Sequence, residues 1–412
     1  MSVSDSAALP LNAAARALPP QVVVLALALL LGLQPITTDL YLPALPLLKA
    51  GLDAPMERVQ MTMAALLLAF GAGQLMMGPL SDRFGRRPAL LGGLALHAAG
   101  AAGAALAGDI VVFIALRAVQ GVGLAASVVC ARAMVRDLFE PHQGATVMSQ
   151  GLSGLGVIAF ASPTLGGLLA AWGGWRSSMA ALSLCSAAIL VFVLLKLPET
   201  APRRDPQATA PGPLLRRLAE IAAHPGFRAW ALLVASTYAG LYVLLAGTSF
   251  VYIGTLGMSP AQYGVTLATC SLSYIAGTFH CRRLLPSHGL TGAARVGGYF
   301  TLAGGLAMLA LGLGDVRSVP LVIGAQWLYS WGHGFHQPCG QVGAVAPFPR
   351  AAGTASALAG FILAVVAFGM GLWLGRALDG SLAMLGWGLA VPAVVTATIA
   401  WTLVRRHGDA RP

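Results

Sequence analysis

Charge is what this chain lacks. Charged residues occupy 9% of its 412 positions, and only 14 residues are acidic, where a soluble domain carries about 25% charged residues. With 57% hydrophobic residues and a mean hydropathy of +0.77, such a chain would precipitate from water. A soluble globular fold is therefore excluded, and lipid is its solvent. Cysteine is scarce as well. Cys130, Cys185, Cys270, Cys281 and Cys339 all fall in apolar stretches, at spacings that suit neither a disulfide framework nor a zinc site. They read as small packing residues. No cleavable signal peptide is evident, because the first twenty residues are polar and Ala/Pro-rich and the first apolar segment is too long for one.

What the chain has instead is long apolar runs. Stretches of about 20 residues are needed to cross a bilayer, and twelve can be read. Six lie near 21–48, 58–80, 88–107, 110–134, 143–171 and 177–197, and six near 227–254, 261–283, 289–313, 317–347, 350–375 and 381–404. The longest polar interruption separates the sixth from the seventh. The expected organisation is an N-terminal half at 1–197, a linker at 198–226 with a short amphipathic segment, and a C-terminal half at 227–412. The 51 glycines cluster within spans, where small residues let helix backbones approach closely in lipid.

The formal charge of +11 is distributed by topology. Arg83, Arg86, Arg87, Arg132, Arg136, Lys196, Arg216, Arg217, Arg282, Arg283, Arg405 and others fall on one side of the predicted membrane, and Lys49, Arg58, Arg176, Arg317 and Arg376 on the other. The excess marks the cytoplasmic side and places both termini there. A nucleic-acid partner is not expected. Converging catalytic groups, a selectivity filter and an output domain are all missing from the pattern, which argues against an enzyme, a channel and a sensor.

One loop and one buried pair carry the candidate chemistry. The turn Gly78-Pro79-Leu80-Ser81-Asp82-Arg83-Phe84-Gly85-Arg86-Arg87-Pro88 is too charged to lie in lipid. Asp82 is expected to accept backbone N–H groups at the start of the eleventh span, near Ala351–Thr354, with Gly78, Arg83, Gly85, Arg86 and Arg87 completing a cytoplasmic gate. Its counterpart around Arg282, Arg283 and Gly289 has lost the acid. Asp39 is the one acid well inside a span, and Arg117 the one base in a mid-span position. An ionised group at depth is costly unless paired, so the two are expected to form a proton-coupling ion pair.

The turn at 78–88 resembles the signature loop of major facilitator superfamily transporters. Thr38-Asp39-Leu40-Tyr41-Leu42-Pro43-Ala44-Leu45-Pro46 resembles the first-helix motif of the Bcr/CflA group of drug–proton antiporters, and Leu116-Arg117-Ala118-Val119-Gln120-Gly121-Val122-Gly123 the fourth-helix motif. Ser162-Pro163-Thr164-Leu165-Gly166-Gly167 is similar to the antiporter motif through Pro163, Gly166 and Gly167, with Ser162 where a glycine is common. Segments 248–252 and 353–358 also resemble that group. The resemblance implies an all-α fold of twelve transmembrane helices in two six-helix halves. It also implies a monomeric multi-pass protein of the bacterial inner membrane that exports small molecules in exchange for protons, without cofactor or metal.

Gln34, Tyr41, Gln150, Tyr238, Tyr242, Trp327, His333, His336 and Gln337 are the candidate cargo contacts. A mostly apolar pocket of this kind suits neutral or weakly charged amphipathic molecules such as drugs. The histidines His280, His333 and His336 remain open between helix-to-helix hydrogen bonding, cargo contact and metal ligation. They are the one hint of a dedicated exporter of a single metabolite or metal chelate.

Overall fold

The computed structural model describes residues 18–408 other than 203, and among these the regular structure is helical throughout. The first six spans comprise α1 (Pro20–Asp39), α2 (Met56–Phe84), α3 (Arg86–Leu106), α4 (Ile110–Leu138) and one continuous helix, Pro141–Lys196. The last folds back at Gly174 (φ 69°, ψ −167°) into α5 (141–173) and α6 (175–196). The other six are α7 (Pro225–Ser249), the helix Pro260–Leu313, α10 (Val319–Val345), α11 (Ala352–Ala377) and α12 (Leu382–Trp401). Pro260–Leu313 folds in the same way at Gly289 (φ 63°) into α8 (260–288) and α9 (290–313). Only glycine adopts these two conformations without strain. Nine helices among the described residues are long and apolar enough to cross a membrane. The two glycine folds and the 27-residue α10 complete twelve crossings. A further amphipathic helix, Pro211–Ala223, occupies the linker.

The first span departs from expectation. The apolar run spans 21–48 as one stretch, but α1 ends at Asp39 and a 3-10 turn, Leu42–Ala44, leads into a short helix, Leu45–Gly51. Pro43 and Pro46 lack the amide protons that would continue the helix. The break frees the last carbonyls of α1 beside Asp39.

The two halves touch along two crossings. In one, α2 lies on α11, with Gly71 against Phe361 and Ala364, Gly371 against Ala64 and Gly375 against Glu57. In the other, α5 meets α8, with Gly167 on the Pro260 carbonyl and Gly264 on that of Pro163. Lipid gives helices no hydrophobic reason to associate, so this close approach supplies the packing. Four of the five cysteines are buried, and Cys185 is exposed.

One end of the bundle carries the arginine-rich turns at 84–86 and 197–224; the opposite end carries the turns at 52–55 and 256–259. At that far end the halves are joined by Arg376–Glu57 (3.1 Å), by Gln60 donating to the Ala246 carbonyl (2.9 Å) and by Tyr242 donating to the Gln60 carbonyl (3.1 Å). At the arginine-rich end a cavity of about 760 Å³ separates Gly78–Asp82 and Arg132–Arg136 from residues 349–357. The molecule is closed at the far end and open at the other.

Gly264→Val should strain the α5–α8 crossing by about 1–3 kcal/mol, the usual cost of overpacking, and lower the midpoint of thermal unfolding. Gly156→Ala on α5, which has open space at the added methyl, should leave that midpoint unchanged.

Candidate functional site

Arg117 is fully buried on α4. Its Nη1 donates to Gln120 Oε1 (2.7 Å) and its Nη2 to the Thr37 carbonyl (3.0 Å), and the guanidinium lies over the Tyr41 ring at 4.2 Å. The expected ion pair with Asp39 is not formed. Asp39 instead accepts from Thr38 Oγ1 (2.7 Å), and among the described residues neither Asp39 nor Arg117 belongs to an ion pair. The reason is the end of α1, whose free carbonyls and partial negative charge attract the guanidinium. The ring of Tyr41 adds a cation–π contact. Tyr41 is thereby removed from the cargo contacts: it is buried under Arg117 and hydrogen-bonded to Thr62 (2.9 Å).

His97 joins this network unannounced by any motif. It lies on α3, with Nε2 at 3.0 Å from Thr37 Oγ1 and Nδ1 at 2.8 Å from Ser186 Oγ on α6. Thr37 thus receives His97 on its side chain and Arg117 on its carbonyl, one residue from the Thr38–Asp39 pair.

Asp39 faces a cavity of about 220 Å³ enclosed by α1, α5, α7, α8 and α10. Five leucines, Ile275, Ala159 and Pro163 form its apolar wall, and Gln326, Ser330 and His333 form a polar stripe. Their spacing of four and three residues aligns them on one face of α10. His333 bonds Thr237 Oγ1 (3.2 Å) and sits between the rings of Tyr274 and Tyr238, at 5.6 and 6.4 Å. A second inner cavity, about 120 Å³, is lined by Gln34, Gln74, Arg132, Tyr238, Gln337 and Gln341 among others.

Of the expected cargo contacts, then, Gln34, Tyr238, His333 and Gln337 line cavities. Tyr242 is buried and bonded to Gln60. Trp327 is 44% exposed at the outside of the bundle, its indole donating to Thr269. Gln150 is exposed and lines none of the three cavities. His336 is held within the helix packing by Thr237, Thr301 and the Ala294 carbonyl, and His280 packs among Phe300, Trp331 and Phe335. The three histidines do not converge on one point. His333 and His336 share Thr237 Oγ1, while His280 sits apart among its aromatic neighbours.

The loop at 78–88 forms a tight cluster of its own. Gly85 takes φ 107°, which lets Glu199 reach in and accept from the backbone N–H groups of Arg86 (2.9 Å) and Arg87 (3.2 Å), capping α3. Arg86 pairs with Asp82 and, at 3.0 Å, with Asp137. Arg87 donates to the carbonyls of Leu197 and Leu194, and Arg83 to Thr209 (2.7 Å). Asp82 makes no hydrogen bond to Ala351–Thr354 among the described residues. Those residues stand across the 760 Å³ cavity, into which Gly78 also faces. In this open state Arg86 holds the acid instead. In the antiporter segment, Pro163 lines the Asp39 cavity, Gly166 packs on the Leu40 carbonyl, and Gly167 packs on α8.

Arg86→Ala should cost about 3 kcal/mol in a thermal or chemical unfolding series, because it strands the buried Asp137. Asp82→Asn should cost no more than about 1 kcal/mol, since that carboxylate is half exposed. Equal losses would contradict this division of the cluster.

Comparison with known proteins agrees with this architecture. Residues 27–372 match the model of the Major Facilitator Superfamily. The chain is 30% identical over 322 residues to a chloramphenicol resistance protein of Pseudomonas aeruginosa, covering 78% of this chain and 75% of that one. It is 29% identical over 337 residues to multidrug resistance protein D of Escherichia coli (strain K12), covering 82% and 84%. The solved structure of a bacterial homologue of the human lysosomal transporter Spinster, inward-facing and occupied, superposes with a TM-score of 0.75 at 15% identity. That alignment covers 95% of this chain and 98% of the other. The family match spans most of the sequence and the twelve-helix fold is shared, so the chain belongs to the major facilitator superfamily and is a multi-pass membrane transporter.

Proposed function

We propose that this transporter exports small, neutral or weakly charged amphipathic molecules, drugs among them, in exchange for protons. The carrying observation is Asp39, the acid that faces an apolar-walled cavity built from both halves. An ionised carboxylate in such surroundings, without a cationic partner, is favoured only while water or a cationic or hydrogen-bonding guest reaches it. Cargo and proton therefore compete for one group, which is the minimum requirement of an exchanger.

In the proposed cycle, cargo enters from the open arginine-rich end, taken as cytoplasmic with both termini on that side of a bacterial inner membrane. Closure then brings Asp82 to the start of α11, while the far-end contacts of Glu57, Gln60 and Gly264 part. Residues 1–197 and 227–412 would move as the two bodies, with 198–226 as the tether and a monomer as the working unit. Arg117 acts by holding the end of α1, so that Asp39 is presented to the cavity and not withdrawn into an ion pair. The relatives named for resistance to chloramphenicol and other drugs support the direction and the cargo class.

Asp39→Asn in proteoliposomes should reduce export driven by a pH gradient to background while cargo exchange at equal pH persists. Gradient-driven export that survives the substitution would sink the proton role. Arg117→Lys should lower both activities, because an ammonium cannot bridge Gln120 and the Thr37 carbonyl at once.

A further inference from the structure

The cavity at the arginine-rich end holds more positive charge than its own acids neutralise. Arg86, Arg132, Arg136 and Arg217 line it against Asp82 and Asp205. Asp82 is taken by Arg86, and Asp205 caps its own turn at Gln207 N (2.9 Å). Among the described residues, Arg132, Arg136 and Arg217 have no carboxylate within ion-pair distance. Arg132 donates only to Ser356 Oγ of α11, at 3.3 Å, and so reaches across the gap between the halves.

Position makes this more than a topology signal. Gln74, Arg132 and Ser356 line both the outer cavity and the inner one that holds Gln34, Tyr238 and Gln337. Arg132 therefore stands at the neck between vestibule and interior. Arg132 and Arg136 lie one turn apart on α4, and closing this end would bring α11 onto both and strip them of water, which is unfavourable for unpaired like charges. An oxyanion on the cargo would relieve both by charge-assisted bonds, and its apolar body would point to the inner cavity.

We infer that Arg132 and Arg136 form an oxyanion site at the neck, and that the preferred cargo is an amphipathic molecule carrying a carboxylate, sulfonate or phosphate group. The inference rests on the exporter reading for its physiological meaning and sharpens it by naming the charge class. Its test needs no gradient, so the two can fail separately.

Equilibrium dialysis of the full-length protein in phosphatidylcholine nanodiscs, with 2-naphthalenesulfonate and the neutral 2-naphthalenemethanol as probes, decides it. The wild type should bind the sulfonate about ten-fold tighter than the alcohol, the scale of one good charge-assisted contact. Arg132→Gln with Arg136→Gln should abolish that preference and leave alcohol binding intact, which also reports a folded cavity. The paired Lys variants should keep most of the preference. No preference in the wild type, or a preference that survives the Gln variants, would overturn the assignment. Discs containing phosphatidylglycerol separate the two sources of an oxyanion: undiminished sulfonate binding assigns the site to soluble cargo, and displacement assigns it to the lipid headgroup.

Discussion

Arg117 spends its charge on a backbone carbonyl, and the inner site follows from that choice. A fully buried guanidinium has to find partners, and the carboxylate of Asp39 would be the obvious one. The end of α1 offers something equivalent: unpaired carbonyls, a partial negative charge and an aromatic face, all within reach. Because the two prolines break the first span at that point, Arg117 fixes the broken end. Asp39, hydrogen-bonded to Thr38, is left turned to the cavity.

The second constraint is the absence of side-chain bulk where the halves cross. Gly264 and Gly167 bring α5 and α8 into backbone contact at the far end, as Gly71, Gly371 and Gly375 do for α2 and α11. These crossings hold the far end together, and the space between the halves opens toward the arginines. In the proposed cycle, closing one end and opening the other is a rocking of rigid helices over these small contacts. It requires no change in any helix's own hydrogen bonding.

Much of this was legible in the amino-acid sequence. Long apolar runs give twelve spans, the turn at 78–88 gives the arginine-rich end, and Asp39 stands out as an acid where acids are rare. What escaped notice shares one physical cause, namely that partners can be backbone or distant. The Thr37 carbonyl has no signature in residue identity, so the sequence pairs Arg117 with Asp39, the one acid well inside a span. His97 looked like any residue of an apolar helix, and its role depends on Ser186 nearly ninety positions on. Glu199 was visible as a polar residue after the sixth span, but its targets are the amides of Arg86 and Arg87. Tyr242, Trp327 and His336 show the converse, being polar-tipped side chains that bond to neighbouring helices and leave the cavities to others.

Glu199 also binds its own following amides, Thr200 N and Ala201 N, both at 3.0 Å. It thereby rivets the end of α6 to the beginning of α3, and Arg87, Ser183 and the His97–Ser186 bond add further ties between the same two helices. This outer pair is a frame whose integrity owes nothing to cargo. Sequence drift in α1, α4 and α5 can therefore retune what is carried without dismantling the scaffold. The capacity to fold and the lining of the cavities then rest largely on different helices.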